Sequence, residues 1–268
     1  MTSNKSSAHK YKTVNCFDFA VYADSISKIS IDKKTLINTI NQYSYCITLQ
    51  DDEFKEALQQ SDVLLPDGVG ITFAASFLDN KKIKKIAGAD IHQYLLDECE
   101  RENKSCFYLG SSPKTLNLLR EKLSSEHPKL KVGFYSPPYK AKFSDEDNSK
   151  MLDAVNEFEP DVLFVGMTAP KQETWSYKFK DSLNTKVICS IGAVFDFYAG
   201  TVKRPNKIWI DVGLEWFIRL LKEPGRMRRR YLYYGPLFGY LIVKKWFELK
   251  AQNIRNHFRI VGYPKPKL

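Results

Sequence analysis

Asp67, Thr48 and Gln172 are expected near the carboxyl ends of buried strands, where their polar side chains could act on a substrate. Asp67 stands in a Pro-Asp-Gly turn directly after the apolar run 63–65. Ligands of open α/β sheets bind at this edge, and a partly buried carboxyl group there suits a general base, because burial raises its pKa. Thr48 would close a predicted strand at 45–49 and could donate a hydroxyl hydrogen bond to the same cleft. The simpler interpretations are a helix-capping turn aspartate and a buried strand threonine.

Phosphate binding is indicated at another strand end. The run 162–165 is wholly apolar, as in a strand that is buried on both faces of a parallel sheet. Pro170 suits the first turn of a helix, so Lys171, Gln172 and Glu173 are expected at a helix N-terminus, whose free N–H groups favour phosphate. A plain turn with a solvated polar face is the alternative interpretation.

The turn at Gly110 and Ser111, after a predicted strand at 106–109, offers N–H groups and a hydroxyl to phosphate as well. The chain has no G-x-G-x-x-G motif and no P-loop motif, so an enzyme that depends on a dinucleotide, such as an epimerase, loses its main support. No D-x-D motif follows directly on a predicted strand, and the 5 Cys and 4 His show no metal-ligand spacing. The sequence therefore predicts no metal, no cofactor and no disulfide framework.

Strands and helices in alternation must position these residues. This alternation predicts βαβ units and a doubly wound, mostly parallel sheet with helices on both faces, the α/β class. The predicted strands cover 45–49, 63–65, 106–109, 130–134, 162–165 and 187–191, and the predicted helices cover 31–42, 51–60, 71–78, 88–102, 113–126, a segment that begins after Ser144, and a segment that begins at Pro170.

Positive charge is concentrated at the C-terminal end of the chain. Residues 201–268 carry 16 Lys or Arg and 4 Asp or Glu, whereas residues 1–200 carry 25 and 27. Residues 231–243 form an uncharged run of 13 apolar and aromatic residues with Arg and Lys on either side. This run is shorter than the about 20 residues that span a bilayer. It favours an amphipathic element at an anionic membrane surface, with a buried core helix as the alternative.

These observations divide the chain into three parts. Residues 1–12 are polar and rich in Ser and Lys, and we expect them to be disordered. They lack the apolar segment of a signal peptide, so no signal peptide is predicted. Residues 13–200 form the predicted α/β core. Residues 201–268 form a basic, aromatic-rich C-terminal appendage, which we expect to be helical.

Several motifs together resemble the WecG/TagA/CpsF glycosyltransferase family. They occur in the order and spacing of that family from about residue 45 to residue 232, and they are L-L-P-D-G-V-G at 64–70, A-G-A-D at 87–90, F-Y-L-G at 107–110, V-G-M-T-A-P-K-Q-E at 165–173, I-G-A-V-F-D at 191–196, G-L-E-W at 213–216 and E-P-G-R-M-R-R at 223–229.

The resemblance implies a Rossmann-like, metal-independent, inverting transferase on the inner face of the bacterial cytoplasmic membrane. Such an enzyme moves a sugar from a UDP-sugar to an undecaprenyl-diphosphate-linked sugar for surface polysaccharide. The implied donor sugars are N-acetylmannosamine, its uronic acid and glucose. The resemblance makes Asp67 the general base, with Thr48 and Gln172 in the same pocket. The implied diphosphate-binding arginines are Arg219, Arg226 and Arg229, which would join Gly110, Ser111 and Lys171.

Three features depart from the family pattern. The family usually shows Asn two residues after the threonine, where this chain has Gln50. The loop 136–143 and the tail after about residue 246 match no family motif.

A non-catalytic protein that binds a membrane or a nucleic acid through the basic tail is the rival hypothesis. It predicts that Asp67 and Gln172 are dispensable. Nucleic-acid binding would require basic residues across a sheet face or a recognition helix, whereas residues 1–200 are slightly acidic, so no nucleic-acid partner is predicted. The family resemblance also makes a self-associating core an expectation.

Overall fold

A computed structural model of the chain describes residues 11–202, 209, 215–222 and 224–260. The side chains at 215, 219, 222, 226, 253, 254 and 256–260 lie outside this description. The described strands are β1 (Thr13–Cys16), β2 (Phe19–Tyr22), β3 (Thr35–Ile40), β4 (Val63–Pro66), β5 (Ser105–Gly110), β6 (Lys131–Tyr135), β7 (Val162–Gly166) and β8 (Val187–Ser190). The described helices are α1 (Gln42–Ile47), α2 (Asp52–Gln59), α3 (Val69–Asp79), α4 (Gly88–Arg101), α5 (Pro113–Glu126), α6 (Asp145–Phe158), α7 (Lys171–Phe179), α8 (Val194–Tyr198), α9 (Glu215–Lys222), α10 (Pro224–Arg228) and α11 (Tyr234–Ile260).

Six of the strands form one sheet in the order β4-β3-β8-β7-β5-β6. Every pairing in this sheet is parallel. β1 and β2 form a separate antiparallel hairpin, a part of the chain for which the sequence analysis made no prediction. The predicted α/β class with a mostly parallel sheet is therefore confirmed.

Helices cover both faces of the sheet. Alternate residues of each strand point to opposite faces, and the apolar residues on each face pack against helices. In β7, Val162 and Phe164 pack into the cluster that contains residues of α4, α5 and α8. Leu163 and Val165 pack into the cluster that contains residues of α6 and α7. All five residues of β7 are buried, as the apolar run 162–165 predicted.

Two predicted elements are wrong. The predicted helix 31–42 contains strand β3, which lies between β4 and β8 and has five buried residues out of six. The predicted strand 45–49 falls on the end of helix α1 and the turn that follows it. Asn41 starts this helix, because its side-chain oxygen accepts hydrogen bonds from the N–H groups of Tyr43 and Ser44.

Helix α11 connects the C-terminal region to the core. One stripe of this helix, Tyr234, Phe238 and Ile242, is buried in a cluster with residues of the β1–β2 hairpin, α1 and α3. A π-helical turn at Arg229–Tyr233 precedes the helix. No helix in the described residues is long and apolar enough to span a membrane. Residues 1–10 and 261–268 lie outside the described residues, so the expected disorder at the N-terminus stays a prediction.

Candidate active site

A cavity of about 850 Å³ lies at the carboxyl ends of the six parallel strands. Each strand contributes residues that follow it in the chain, which is where ligands of open α/β sheets bind. The six contributions are 41–44 after β3, 67–69 after β4, 111–113 after β5, 136–139 after β6, 167–169 after β7 and 191–194 after β8.

Asp67 is half-buried and lines this cavity. Its backbone N–H donates a hydrogen bond of 2.9 Å to the carbonyl oxygen of Ile40 at the end of the neighbouring strand. The next residue, Gly68, has φ = 117°, a backbone angle that other residues rarely adopt. The Pro-Asp-Gly turn thus leads the chain sharply from β4 into α3 and leaves the carboxyl group at the cavity.

The threonine that reaches the cavity is Thr39, not Thr48. Thr39 and Asn41 lie at the end of β3 and line the cavity together with Asp67. Thr48 follows helix α1 and is absent from the described cavity lining; its buried hydroxyl donates a hydrogen bond of 2.7 Å to the carbonyl oxygen of Tyr45. Thr39 and Asn41 also have the threonine-x-asparagine spacing that Thr48 lacks. This threonine-x-asparagine pattern is visible in the sequence, but the strand that carries it, β3, was predicted to be a helix.

Gln172 joins the ends of two strands. Its Oε1 accepts hydrogen bonds from the N–H of Met167, after β7, and from the N–H of Gly192, after β8. Its Nε2 donates a hydrogen bond of 2.8 Å to Oε1 of Glu173. Gln172 is buried and lines the cavity, as expected, and its contacts hold these two turns beside each other.

Glu173 is a buried carboxyl group to which the sequence analysis assigned no role in the site. Only 2% of the residue is exposed, and burial raises its pKa from 4.5 to about 7, against the smaller opposing effects of the Gln172 hydrogen bond and the Arg230 charge. Its Oε2 has no hydrogen-bond partner within the described structure, and the same is true of Oε1 of Gln42. Both residues line the cavity, so each offers an acceptor to a ligand.

The turn after β5 is less open to phosphate than the sequence suggested. The N–H of Ser111 already donates a hydrogen bond of 2.9 Å to the carbonyl oxygen of Gly166. Gly110 has φ = 128° and lies so close to Gly166 that an added Cβ would stand 2.3 Å from its oxygen. Ser111 lines the cavity, whereas Gly110 is absent from the described lining.

Lys171 lines the cavity and binds the loop 136–143. Its ammonium group donates a hydrogen bond of 2.7 Å to the carbonyl oxygen of Lys140 and lies 4.6 Å from the ring centre of Phe143. Burial lowers the pKa of Lys171. The same loop is fastened at its start by Ser136, whose hydroxyl donates a hydrogen bond of 2.8 Å to the carbonyl oxygen of Ser111.

Arg230 is the arginine that the described structure places at the cavity. Its guanidinium carbon lies 4.3 Å from the ring centre of Tyr43, which also lines the cavity. Arg229 is exposed, lies over the ring of Tyr234 and is absent from the described lining. The side chains of Arg219 and Arg226 lie outside the described residues.

The charged residues of the described lining are balanced in sign. Lys85, Lys171 and Arg230 are basic, and the acidic residues are Asp67, Glu173 and Asp196. Among the described residues, no group of three or more His, Cys, Asp or Glu side chains could hold a metal ion. The D-x-D spacing at 145–147 lies in the first turn of α6 and serves helix capping.

Comparison with known proteins agrees with the motifs. Residues 11–252 match the model of the glycosyl transferase WecG/TagA/CpsF family. A protein of Bacillus subtilis named N-acetylglucosaminyldiphosphoundecaprenol N-acetyl-beta-D-mannosaminyltransferase is 29% identical over 210 residues, which cover 78% of this chain and 80% of that protein. A protein of the same name from Bacillus spizizenii is 28% identical over 198 residues, covering 74% and 75%. The family model covers most of the chain, and this chain therefore belongs to the WecG/TagA/CpsF family of glycosyltransferases.

Proposed function

We propose that this protein transfers a sugar of the N-acetylmannosamine type from a UDP-sugar to an undecaprenyl-diphosphate-linked sugar, with inversion at the anomeric carbon. The names of the two Bacillus relatives support the class of acceptor and of transferred sugar. The observation that carries the proposal is the half-buried Asp67 in a cavity that all six parallel strand ends line. The uronic acid of N-acetylmannosamine and glucose remain donor sugars to be compared.

Asp67 acts as the general base in this proposal. Its carboxylate accepts the proton of the acceptor hydroxyl while that oxygen attacks the anomeric carbon. The bond between the anomeric carbon and the diphosphate oxygen breaks, and the electron pair leaves with UDP. A single displacement of this kind inverts the anomeric carbon, so an α-linked donor gives the β-linked product that the relatives' names specify.

Two pairs of polar groups in the cavity, one cationic and one of hydrogen-bond acceptors, suit a sugar-diphosphate. Lys171 and Arg230 can stabilise the charge that develops on the leaving diphosphate, so the proposed reaction depends on cationic side chains rather than on a metal ion. The acceptor atoms Oε1 of Gln42 and Oε2 of Glu173 can receive hydrogen bonds from sugar hydroxyls or from an acetamido N–H.

UDP release from a panel of UDP-sugars, with a lipid-diphosphate-linked sugar as acceptor, tests this proposal. Wild type should release UDP from one donor only when the acceptor is present. Asp67→Asn should lower kcat by about 10²- to 10⁴-fold and still bind UDP, and Asp145→Asn, an exposed carboxylate on α6, should match wild type. Equal kcat values for Asp67→Asn and wild type would refute the role of Asp67. Absence of UDP binding by wild type would favour a non-catalytic binding protein.

On this proposal the protein works at the inner face of the bacterial cytoplasmic membrane, because its acceptor is anchored there. The C-terminal appendage, residues 201–268, would provide the contact with anionic lipid, as its charge of 16 basic against 4 acidic residues suggests.

A further inference from the structure

Helix α3 of the core has an apolar face where a polar face is expected. Val69, Phe73 and Phe77 follow each other at intervals of four residues, which places them on one side of the helix. They are 46%, 59% and 46% exposed, while Ile71, Ala74 and Ala75 face the core. A soluble helix normally presents charged or polar residues on its outer side. This stripe therefore suits an apolar partner.

The stripe of α3 continues onto the C-terminal helix α11 through ring contacts. The rings of Phe73 and Phe77 are stacked with their centres 5.7 Å apart, and Phe77 lies 6.2 Å from Trp246. Trp246 in turn lies 4.9 Å from Phe247, which is 61% exposed. Two elements that are about 170 positions apart in the chain thus share one surface.

Exposed lysines lie on the segment that follows α3 and beside Trp246. Lys81, Lys82 and Lys84 are exposed in the connector that follows α3. Lys250 lies 5.5 Å from the ring centre of Trp246. The neighbouring carboxylates are engaged with lysines: Asp79 pairs with Lys81, and Glu248 lies 4.0 Å from Lys245. We call Phe73, Phe77, Trp246 and Phe247 together with Lys81, Lys82, Lys84 and Lys250 the aromatic–lysine surface.

We infer that the aromatic–lysine surface docks the protein on an anionic lipid bilayer, and that α3 of the core supplies one half of it. Aromatic rings flanked by lysines are the composition of elements that lie in the membrane interface, where the rings enter the headgroup region and the ammonium groups meet anionic lipid. An excess of exposed lysines beside exposed aromatic rings favours an anionic lipid surface over a protein partner of ordinary composition.

The position of this surface relative to the cavity gives it a function. Val69 lines the cavity and begins the apolar stripe of α3, which ends at Phe77 eight residues later. Eight residues of helix correspond to about 12 Å. Docking through α3 would therefore bring the cavity mouth close to the headgroup layer, where the diphosphate of a lipid-linked acceptor lies. Only this last step, the approach of the cavity to a lipid-linked acceptor, rests on the proposed function.

Sedimentation of the full chain with vesicles tests the inference. Vesicles of phosphatidylglycerol and phosphatidylcholine in equal parts provide the anionic surface, and pure phosphatidylcholine provides the neutral comparison. Phe73→Ser/Phe77→Ser should weaken binding to the anionic vesicles at least about tenfold. Leu49→Ser, which removes a residue that is 51% exposed outside the aromatic–lysine surface, should bind as wild type does. Lys81→Ala/Lys82→Ala should weaken binding to anionic vesicles alone, and the control Lys114→Ala/Lys129→Ala should not.

Two readouts separate docking from folding and from catalysis. The α3 variants should keep the wild-type melting curve and the wild-type turnover of a water-soluble, short-chain acceptor, because their side chains lie outside the core. Equal vesicle binding by Phe73→Ser/Phe77→Ser and wild type would overturn the inference and leave the proposed function intact. A lower molar mass of this variant in lipid-free light scattering would also overturn it, because the surface would then join two copies of the chain. Absence of turnover by wild type would count against the proposed function, while the vesicle result would still be read independently.

Discussion

Glu173→Gln is the substitution for which the structure gives the sharpest expected magnitude. Burial raises the pKa of this carboxyl group from 4.5 to about 7. The folded protein thus binds the proton more tightly than the unfolded chain, so the free energy of unfolding decreases as the pH rises from about 4.5 to about 7. A change of one in pKa corresponds to about 1.4 kcal/mol, so Glu173 should cost the folded protein about 3 kcal/mol above pH 7.

Glutamine at this position should remove that cost. Its side-chain oxygen can still accept the hydrogen bond that Nε2 of Gln172 donates to Glu173. We expect Glu173→Gln to be more stable than wild type by less than about 1 kcal/mol at pH 5 and by about 3 kcal/mol at pH 8. Urea denaturation of both proteins at pH 5, 6, 7 and 8 measures this difference. Glu121→Gln, a substitution of an exposed carboxyl group on α5, is the control.

Arg230 provides an independent check of the sign. Its positive charge lowers the pKa of Glu173, although burial is the larger effect. Arg230→Leu should therefore raise the pKa of Glu173 further, and the decrease in the free energy of unfolding should continue to a higher pH than in wild type. A stability difference between Glu173→Gln and wild type that stays constant from pH 5 to pH 8 would refute the reasoning, because a neutral-to-charged transition of Glu173 would then be absent from this range.

Two further substitutions test the placement of individual side chains. Thr39→Val should lower kcat/KM for sugar transfer about tenfold through loss of one hydrogen bond in the cavity, whereas Thr48→Val should leave kcat/KM unchanged; the reverse result in the UDP-release assay would contradict the assignment to Thr39. Gly166→Ala should destabilise the fold by about 1–3 kcal/mol, because the new Cβ would stand 2.6 Å from the ring of Phe195. Gly235→Ala, where the new Cβ would meet no atom within 4 Å beyond the backbone of its own helix, is its control in urea denaturation, and equal midpoints would show that the Phe195 ring can move away.

The parallel sheet was predictable because most of its strands are continuous apolar runs between turn residues. β3 is the exception. Its sequence, T-L-I-N-T-I, places polar residues in a strand that has a neighbour on each side, β4 and β8. Asn38 is fully buried there, and its amide donates a hydrogen bond of 2.9 Å to the hydroxyl of Ser61. The remaining Leu36, Ile37 and Ile40 match a helical spacing as well as a strand, so periodicity alone favoured the wrong element.

That one error moved the candidate threonine by nine residues. If residues 31–42 form a helix, the next apolar segment, which contains Tyr45 and Cys46, is the nearest candidate for a strand, and Thr48 lies near its end. The capping pattern of Asn41 and Ser44 was a local signal for a helix start at this point. It indicated that the strand must end before Asn41, and hence that Thr39 is the threonine at the sheet edge.

The partners of Gln172 and Glu173 could not be predicted in the same way. Gln172 accepts hydrogen bonds from residues 5 and 20 positions away, and the charge that acts on Glu173 comes from Arg230, on the C-terminal side of the core. Local patterns place both residues at a helix N-terminus, but which turns they contact depends on the strand order. The adjacency of β7 and β8 is a property of the whole sheet.

The sequence of helix α11 is compatible both with a buried core helix and with an amphipathic helix at a membrane surface, because it has apolar residues on both sides. The uncharged run 231–243 has apolar residues all round, so composition cannot say which side is buried. Tyr234, Phe238 and Ile242 are buried against the core, whereas Tyr240 and Val243 on the other side are 62% and 49% exposed. Burial of an apolar side chain of this size contributes about 1.5–3 kcal/mol, so three of them are enough to hold the helix in one orientation. The core contact thus fixes which apolar side of α11 is exposed. A membrane-interface role for that exposed side therefore requires the burial of the other side and does not compete with it.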